Sequence, residues 1–360
     1  MYDKRIFLIQ TNDLGGIQMS EIKINRAILH VLDSGSSMPM LSGGELSMND
    51  DLNSYIEKHL QKVVDDTNIK KAQFYGDTQS NEIMFLCSEL SSNEQEFVAI
   101  SAEIAKRLFE VMQKNVDIPS ADLVCCIFEE NNQKHLGILK LNYKIGFTHW
   151  VDNDEAGAVN SIIRYQTLLP QDGQKLDECV LVNLEDLSIR LLEKAYEING
   201  AKEFYLSNIL LKCGCQLSDN AKMKIIDKVT KSINKKYYDE DFEKAIKLKK
   251  AVAESLTQSG EIHIEDVANK VYERDLGVQN EYVEKISQAG LEEKKIALPE
   301  TVVEHYTEKK FKTHKIKTDT GIEINFPLEY ADERDKIEFI NNPDGTISII
   351  IKNVGKISNK

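Results

Sequence analysis

Apolar positions along the chain follow two periods, and the change from one to the other marks its organisation. Residues 22–32, IKINRAILHVL, are rich in β-branched and apolar side chains and run into Asp33-Ser-Gly-Ser-Ser, which predicts a first strand ended by a turn. Residues 47–66 begin with Ser47 or Asn49 as an N-cap and set Leu52, Ile56, Leu60, Val63 and Val64 on one face, the spacing of an amphipathic helix. Residues 94–114 repeat that spacing with Phe97, Ile100, Ile104, Leu108 and Met112. A continuous apolar run at 123–128, a polar stretch at 129–134 and a partly alternating run at 136–143 predict a β-hairpin. Further strands are expected at 162–169 and 180–182, and a helix over 187–198 carrying Ile189, Leu191, Leu192 and Tyr196. The first 200 residues thus predict an α+β domain, two helices packed on an antiparallel sheet.

From Ala201 the helical period takes over. One helix is expected to about residue 211, and a second, capped by Ser218 or Asp219, carries Met223, Ile226, Val229 and Ile233. Residues 242–256, 264–272 and 280–291 give three more, with Gly200, Gly260 and Gly290 at element ends. The tail returns to alternation at 313–317, 321–326, 337–340 and 347–351, with Asn341-Asn-Pro-Asp-Gly345 as the turn between the last two. The fold class expected is α+β: an N-terminal antiparallel sheet with packed helices, then a mainly helical region with a small C-terminal β unit. The expected divisions are an N-terminal extension over 1–20, an α+β domain over 21–200, a helical domain over 201–300 and a β-rich unit over 301–360.

Composition adds limits. A chain that is 41% hydrophobic and 29% charged is ordinary for a soluble globular protein, and it has no apolar stretch of about 18 residues that would span a membrane. The short patch after Lys4 and Arg5 is too brief for a signal sequence, so a cytoplasmic location is expected. Six cysteines, mostly inside apolar runs, read as buried reduced thiols.

Candidate chemistry is sparse. The sequence has no phosphate-binding glycine loop, no His-Glu-x-x-His helix and no Gly-x-Ser-x-Gly elbow. Asp152, Asp154 and Gly157 imitate a calcium loop, but Ile163 stands where a bidentate glutamate is needed. Cys213-Gly-Cys215 lacks a second half at zinc-ligand spacing and reads as a packing pair. His149 with Asp152 has the composition of a general base and its orienting carboxylate, without a nucleophile or metal motif beside it. His30 reads as a satisfied histidine of the first strand. Glu308-Lys-Lys310 echoes a nuclease triplet of a kind that any chain this charged contains by chance. Catalysis is therefore not expected, and no cofactor is implied. A metal-dependent nuclease using Asp117, Asp122 and Glu130 stands as one alternative, and a protein adaptor that never touches DNA as another.

Charge changes the picture most. The chain carries a net charge of −14, yet residues 1–200 hold 18 basic against 31 acidic side chains and residues 201–360 hold 27 against 28. Within 206–252, eleven lysines face six acids. Lys222, Lys224, Lys228, Lys231, Lys235 and Lys236 recur near helical spacing, followed by Lys247, Lys249 and Lys250. A second group, Lys309, Lys310, Lys312, Lys315 and Lys317, is interleaved with Tyr306 and Phe311. A solvated helix face explains such lysines without function; lysines converging on one face would instead neutralise phosphates of double-stranded DNA without reading sequence. The scarcity of arginine disfavours bidentate base contacts. The acidic N-terminal half is expected to face protein partners or a second copy in a homodimer.

The order of three motifs adds a resemblance. Ala27-Ile28-Leu29-His30-Val31-Leu32 stands near the start, Phe204-Tyr205-Leu206-Ser207-Asn208-Ile209-Leu210 leads to Gly214-Cys215 in the centre, and Gly321-Ile322-Glu323-Ile324-Asn325-Phe326 with Thr346-Ile347-Ser348-Ile349 closes the chain. In this order the chain resembles the bacterial 37 kDa nucleoid-associated protein family over roughly residues 20–355. The resemblance implies a cytoplasmic protein that localises with the nucleoid and binds DNA, with no catalytic motif to transfer. The acidic N-terminal half puts direct DNA contact by that half in doubt.

Overall fold

The computed structural model describes residues 21–154, 157–172, 174–238, 242–273 and 275–357. The chain forms two compact units, Met1–Val64 with Lys71–Cys215 and Asp65–Lys70 with Gln216–Lys360. The described residues are 38% helix and 32% strand, so the α+β class predicted from the two hydrophobic periods holds.

The first unit contains β1 (Ile22–Leu32), α1 (Asp50–Val64), β2 (Lys70–Phe74), α2 (Glu82–Ser92), α3 (Phe97–Lys114), β3 (Ala121–Glu130), β4 (Gln133–Asn142), β5 (Lys144–Asp154), β6 (Gly157–Leu168), β7 (Glu178–Asn183), β8 (Ile189–Leu192), β9 (Tyr196–Ile198), β10 (Ala201–Glu203) and β11 (Cys213–Cys215). Seven strands make one sheet in the order β1-β3-β4-β7-β8-β2-β11. The core forms because successive strand side chains point to opposite faces. Leu123, Cys125 and Ile127 of β3 therefore join one cluster with Ile83, Cys87 and Leu90 of α2 and Phe97, Ile104, Leu108 and Met112 of α3. Their neighbours Val124, Cys126 and Phe128 are buried as well, which is why β3 reads as an uninterrupted apolar run. Each fully buried side chain of this size stabilises the fold by about 1.5–3 kcal/mol.

Local chemistry fixes the register. Asn131 (φ 52°) and Asn132 (φ 64°) both adopt left-handed backbone between β3 and β4, the two-residue turn whose twist matches a hairpin. Gly137 of β4 faces Cys126 of β3, and a Cβ there would sit 2.8 Å from the Cys126 sulfur, so the close approach requires glycine. Cys87 and Cys126 are wholly buried and their thiols are pushed up to about 12, chiefly by burial, as expected of inert packing cysteines. His30 is also as expected: the Ser42 N–H donates to its Nδ1 at 3.1 Å, leaving Nε2–H to donate to Ser101 Oγ at 3.1 Å. Burial keeps that ring neutral by lowering its pKa.

The expected helix over 187–198 is not formed. Ile189, Leu191 and Leu192 lie in β8, paired with β7, and Tyr196 lies in β9. The deciding signal was Asn199-Gly200, whose φ values of 52° and 79° close a hairpin between Ile198 and Ala201. Likewise the segment to residue 211 is a π-helical turn, Leu206–Leu211, held by Glu193: its carboxylate accepts from the Ser207 N–H and hydroxyl, both at 3.1 Å. The motif continues into β11, where Cys213 and Gly214 pair with Phe74 and Gln73 of β2.

The second unit contains α4 (Asp219–Tyr237), α5 (Phe242–Ser259), β12 (Glu261–His263), α6 (Ile264–Tyr272), α7 (Leu276–Gln288), β13 (Lys295–Ala297), α8 (Glu300–Glu304), β14 (Thr313–Lys317), β15 (Glu323–Pro327), β16 (Ile337–Asn341) and β17 (Ile347–Ile351). Ser218 caps α4 by accepting from the Ala221 N–H at 3.2 Å. Ile226, Ile233, Val252, Val267, Val271, Tyr282 and Ile296 form its main core. The four tail strands pair as two hairpins, β14–β15 and, across the expected Asn341–Gly345 turn, β16–β17, around Ile246, Phe326, Leu328 and Ile337. Among the described residues, no helix is long and apolar enough to cross a membrane.

One buried polar group in the first unit makes a demand on its sheet. Lys140 of β4 and Glu178 of β7 are register partners and form an ion pair at 2.9 Å with side-chain exposures of 2% and 0%. Tyr196 donates to the same carboxylate at 3.0 Å, as does Asn142 at 3.1 Å. Burial is the larger influence on Lys140 and lowers its pKa. Lys140→Met leaves a buried carboxylate without its cation and is expected to cost about 3–5 kcal/mol in chemical denaturation. Lys140→Met with Glu178→Gln, which removes both charges and keeps an acceptor for Tyr196, is expected to recover more than half of that loss.

Candidate nucleic-acid interface

Burial of one face of α4 determines which of its lysines reach water. Met223, Ile226, Val229, Thr230 and Ile233 are buried. Lys224, Lys228, Lys231 and Lys235, at steps of four, three and four, all fall on the exposed side. They form one stripe about 16 Å long at 1.5 Å per residue. Lys224 and Lys228 make no ion pair with any described residue, whereas Lys231 meets Asp227 at 2.6 Å with both groups well exposed. Such exposed pairs contribute little and give way readily to a competing anion.

The other candidate lysines separate. Lys222 is buried and pairs with Glu293 at 3.0 Å, so it is a structural cation and not part of a surface. Lys236 binds both oxygens of Glu281 at 2.8 and 2.9 Å; with Tyr237, it pulls the Glu281 carboxyl down to about 2. Lys247 is paired with Glu273. Lys250 is half-buried. Lys249 is half-buried and its pKa is lowered, mainly by burial, while Asp227 raises it and Lys231 lowers it.

In the tail, alternation along β14 sorts the side chains. His314 is buried and Ile316 half-buried, whereas Lys315 and Lys317, with Lys312 just before the strand, are exposed. Lys317 pairs with Glu323 across the hairpin at 3.2 Å, and Lys315 stands opposite Asn325. The side chains of Lys309 and Lys310 lie outside the described residues. The two lysine groups border a common residue: Lys249, which feels Asp227 and Lys231 of α4, also acts on His314 of β14.

Helices α6 and α7, joined by residues 273–275, have the spacing of a helix-turn-helix, a pairing the sequence reading did not consider. The fully exposed positions of α7 after its first turn are Asn280, Glu284, Ser287 and Gln288, without a cation. An uncharged or acidic face is a poor match for the major groove, so α7 is not the basic surface.

The remaining candidates do not converge. Asp122 and Glu130 begin and end β3, about 26 Å apart at 3.3 Å per residue. Asp122 accepts from the Tyr143 hydroxyl at 2.7 Å and Glu130 binds Arg190, while Asp117 is exposed on a loop, so the three acids cannot share a metal. His149 and Asp152 sit three residues apart on β5 and therefore point to opposite faces, which rules out a base oriented by that carboxylate. Cys213 and Cys215 lie in β11, outside any disulfide. Among the described residues, no group of three or more His, Cys, Asp or Glu could hold a metal ion.

His314 gives this surface a pH signature. Its ring is buried against Phe326, with centroids 5.7 Å apart, and its pKa falls to about 4 from an ordinary 6.5, chiefly through burial and secondly through Lys249. Between about pH 6.5 and 4 the unfolded chain holds the extra proton, so stability falls as pH is lowered through that window. The full effect corresponds to about 3 kcal/mol. Thermal melts of His314→Asn across this range are expected to show a shallower loss than the unaltered chain.

The family model described as nucleoid-associated protein YejK, NA37, matches residues 28–358. No curated protein matches the chain. That match takes in the sheet of the first unit from β1, the π-helical turn and both tail hairpins, nearly the whole of the described fold. The chain therefore belongs to the family of the nucleoid-associated protein YejK.

Proposed function

We propose that this protein binds double-stranded DNA at the nucleoid, largely without regard to sequence, through phosphate contacts from its second unit. The contacts assigned are Lys224, Lys228, Lys231 and Lys235 of α4 and Lys312, Lys315 and Lys317 of the β14 region. The observation that carries the reading is the α4 stripe: a row of exposed ammonium groups on a helix whose opposite face is fixed in the core. Family membership supports the same direction. Positive charge at that spacing releases counterions from DNA and gives affinity that falls steeply with salt. The cations are lysine except Arg274 and Arg334 in the second unit, which suits point contacts to phosphate better than bidentate reading of guanine.

The role is non-enzymatic and cytoplasmic. The first unit, acidic in sequence, is assigned to protein contacts instead of DNA. An adaptor that never touches DNA is the competing reading, and the same experiment separates the two.

Fluorescence titration of a labelled duplex over a series of salt concentrations provides the test. Changing Lys224, Lys228, Lys231 and Lys235 together to Glu is expected to weaken binding at least tenfold and to lower the salt slope by about 3–4, near 0.9 per contact. Lys236→Ala, which removes a lysine already neutralised by Glu281, is expected to leave both unchanged. Equal affinity and slope in the fourfold variant would remove α4 from the interface.

A further inference from the structure

The tail of the second unit leaves one strand edge open. β16 and β17 form a two-stranded sheet of their own, in continuous register from Ile337 opposite Ile351 to Asn341 opposite Ile347. Beyond the two ends of that ladder, the Lys352 N–H donates to the Lys336 carbonyl at 2.9 Å and the Asn342 N–H to the Thr346 carbonyl at 2.8 Å. Bonded and non-bonded pairs alternate along an antiparallel ladder. Ser348 and Ile350 therefore direct their backbone groups to β16, while Ile347, Ile349 and Ile351 turn theirs away from it. No described residue meets the backbone groups of those three.

Strand edges in folded proteins are ordinarily blunted by lysine, proline or a bulge. β17 has none of these: it reads Ile-Ser-Ile-Ile-Ile, and its register with β16 is unshifted. Ile351 is 58% exposed, Ile347 49% and Ile350 41%. The edge is also sharply bounded. Gly345 (φ 85°) closes the turn before it and Asn353 (φ 56°) bends the chain after it, which leaves one short strand with Ile349 at its middle.

That placement selects the occupant. A second β17, antiparallel and related by a two-fold axis through Ile349, sets Ile349 against the partner's Ile349 and Ile347 against the partner's Ile351. The residues brought opposite each other are the ones whose N–H and C=O groups are free, so every rung of the new ladder closes. On one face Ile347 packs against the partner's Ile351, in line with Ile337, Phe339 and Ile349 of an existing apolar cluster. On the other face Ser348 stands against the partner's Ile350. Thr346 stands against the partner's Lys352, and in each copy Glu338 already holds that lysine's charge, so no like charges oppose each other. An unrelated peptide would satisfy the backbone but not this matching of side chains, whereas a two-fold contact is self-complementary. Five residues a side is well below the roughly 20–30 of a standard interface, which makes the contact weak and reversible.

We propose that β17 pairs edge to edge with β17 of a second copy of this chain, giving a four-stranded sheet and a homodimer joined through the second unit. The test is sedimentation of the full chain from micromolar to submillimolar concentration without nucleic acid, so that its outcome is separate from that of the DNA titration. A reversible monomer–dimer equilibrium is expected. Ile351→Pro removes an N–H that β16 does not use, a position where an edge strand tolerates proline, and is expected to raise the dimer Kd at least tenfold. Ile347→Lys with Ile351→Lys sets like charges opposite each other on both sides of the axis and is expected to abolish the dimer. Ile347→Glu with Ile351→Lys sets opposite charges there and is expected to retain it. Both residues are exposed, so circular dichroism should show the same melting transition for all three variants. A chain that stays monomeric throughout, or a dimer that both Ile351→Pro and the double lysine variant leave untouched, would overturn the proposal. A glutamate–lysine variant that dimerises no better than the double lysine one would overturn the register about Ile349.

Discussion

The burial of one face of α4 is the constraint on which the functional reading rests. Ile226 and Ile233 are held in a core shared with Val252, Val267, Tyr282 and Ile296, and a helix cannot fix one face without fixing the other. The direction of Lys224, Lys228, Lys231 and Lys235 is therefore set by apolar packing. The same packing draws Lys222 inward to Glu293, so neighbouring lysines on one helix have different roles. Counting lysines in the sequence does not separate them.

Ion pairing sorts the surface a second time. Glu281 and Glu273 neutralise Lys236 and Lys247, whereas Lys224 and Lys228 make no ion pair with any described residue and Lys231 meets Asp227 with both groups exposed. At the boundary between α4 and the tail, the buried His314 stays neutral against Lys249 at neutral pH. Protonating it would bury a charge and, secondly, set that charge beside the lysine, so acid is expected to destabilise this region. The first unit follows different rules: its one deeply buried ion pair, among the described residues, joins Lys140 and Glu178 across adjacent strands, and Asn142 and Tyr196 donate to the same carboxylate oxygen.

Where hydrophobic period and turn chemistry agreed, the sequence was sufficient. The β3–β4 hairpin, the α4 face, the satisfied His30 and the β16–β17 hairpin were all legible for that reason. The helix expected over 187–198 failed because Ile189, Leu192 and Tyr196 satisfy a helical spacing by chance, while Asn199-Gly200 carried the overriding hairpin signal. α2 was passed over although Asn81 caps it, accepting from the Met84 N–H at 3.0 Å, because its apolar residues lack a clear polar face. β5 escaped because its alternation brings apolar residues to both faces, a pattern that has no single buried side to reveal it. The lysine surface was half legible: spacing identified the stripe, but only tertiary pairing with Glu293, Glu281 and Glu273 could withdraw Lys222, Lys236 and Lys247.

The most direct measurement of the central claim is the dependence of affinity on salt for the unaltered full-length protein with a duplex of arbitrary sequence. Seven lysine–phosphate contacts predict a log–log slope of about −6, the same for unrelated sequences. Binding that is absent at low salt, insensitive to salt, or strong on only one sequence would contradict the account.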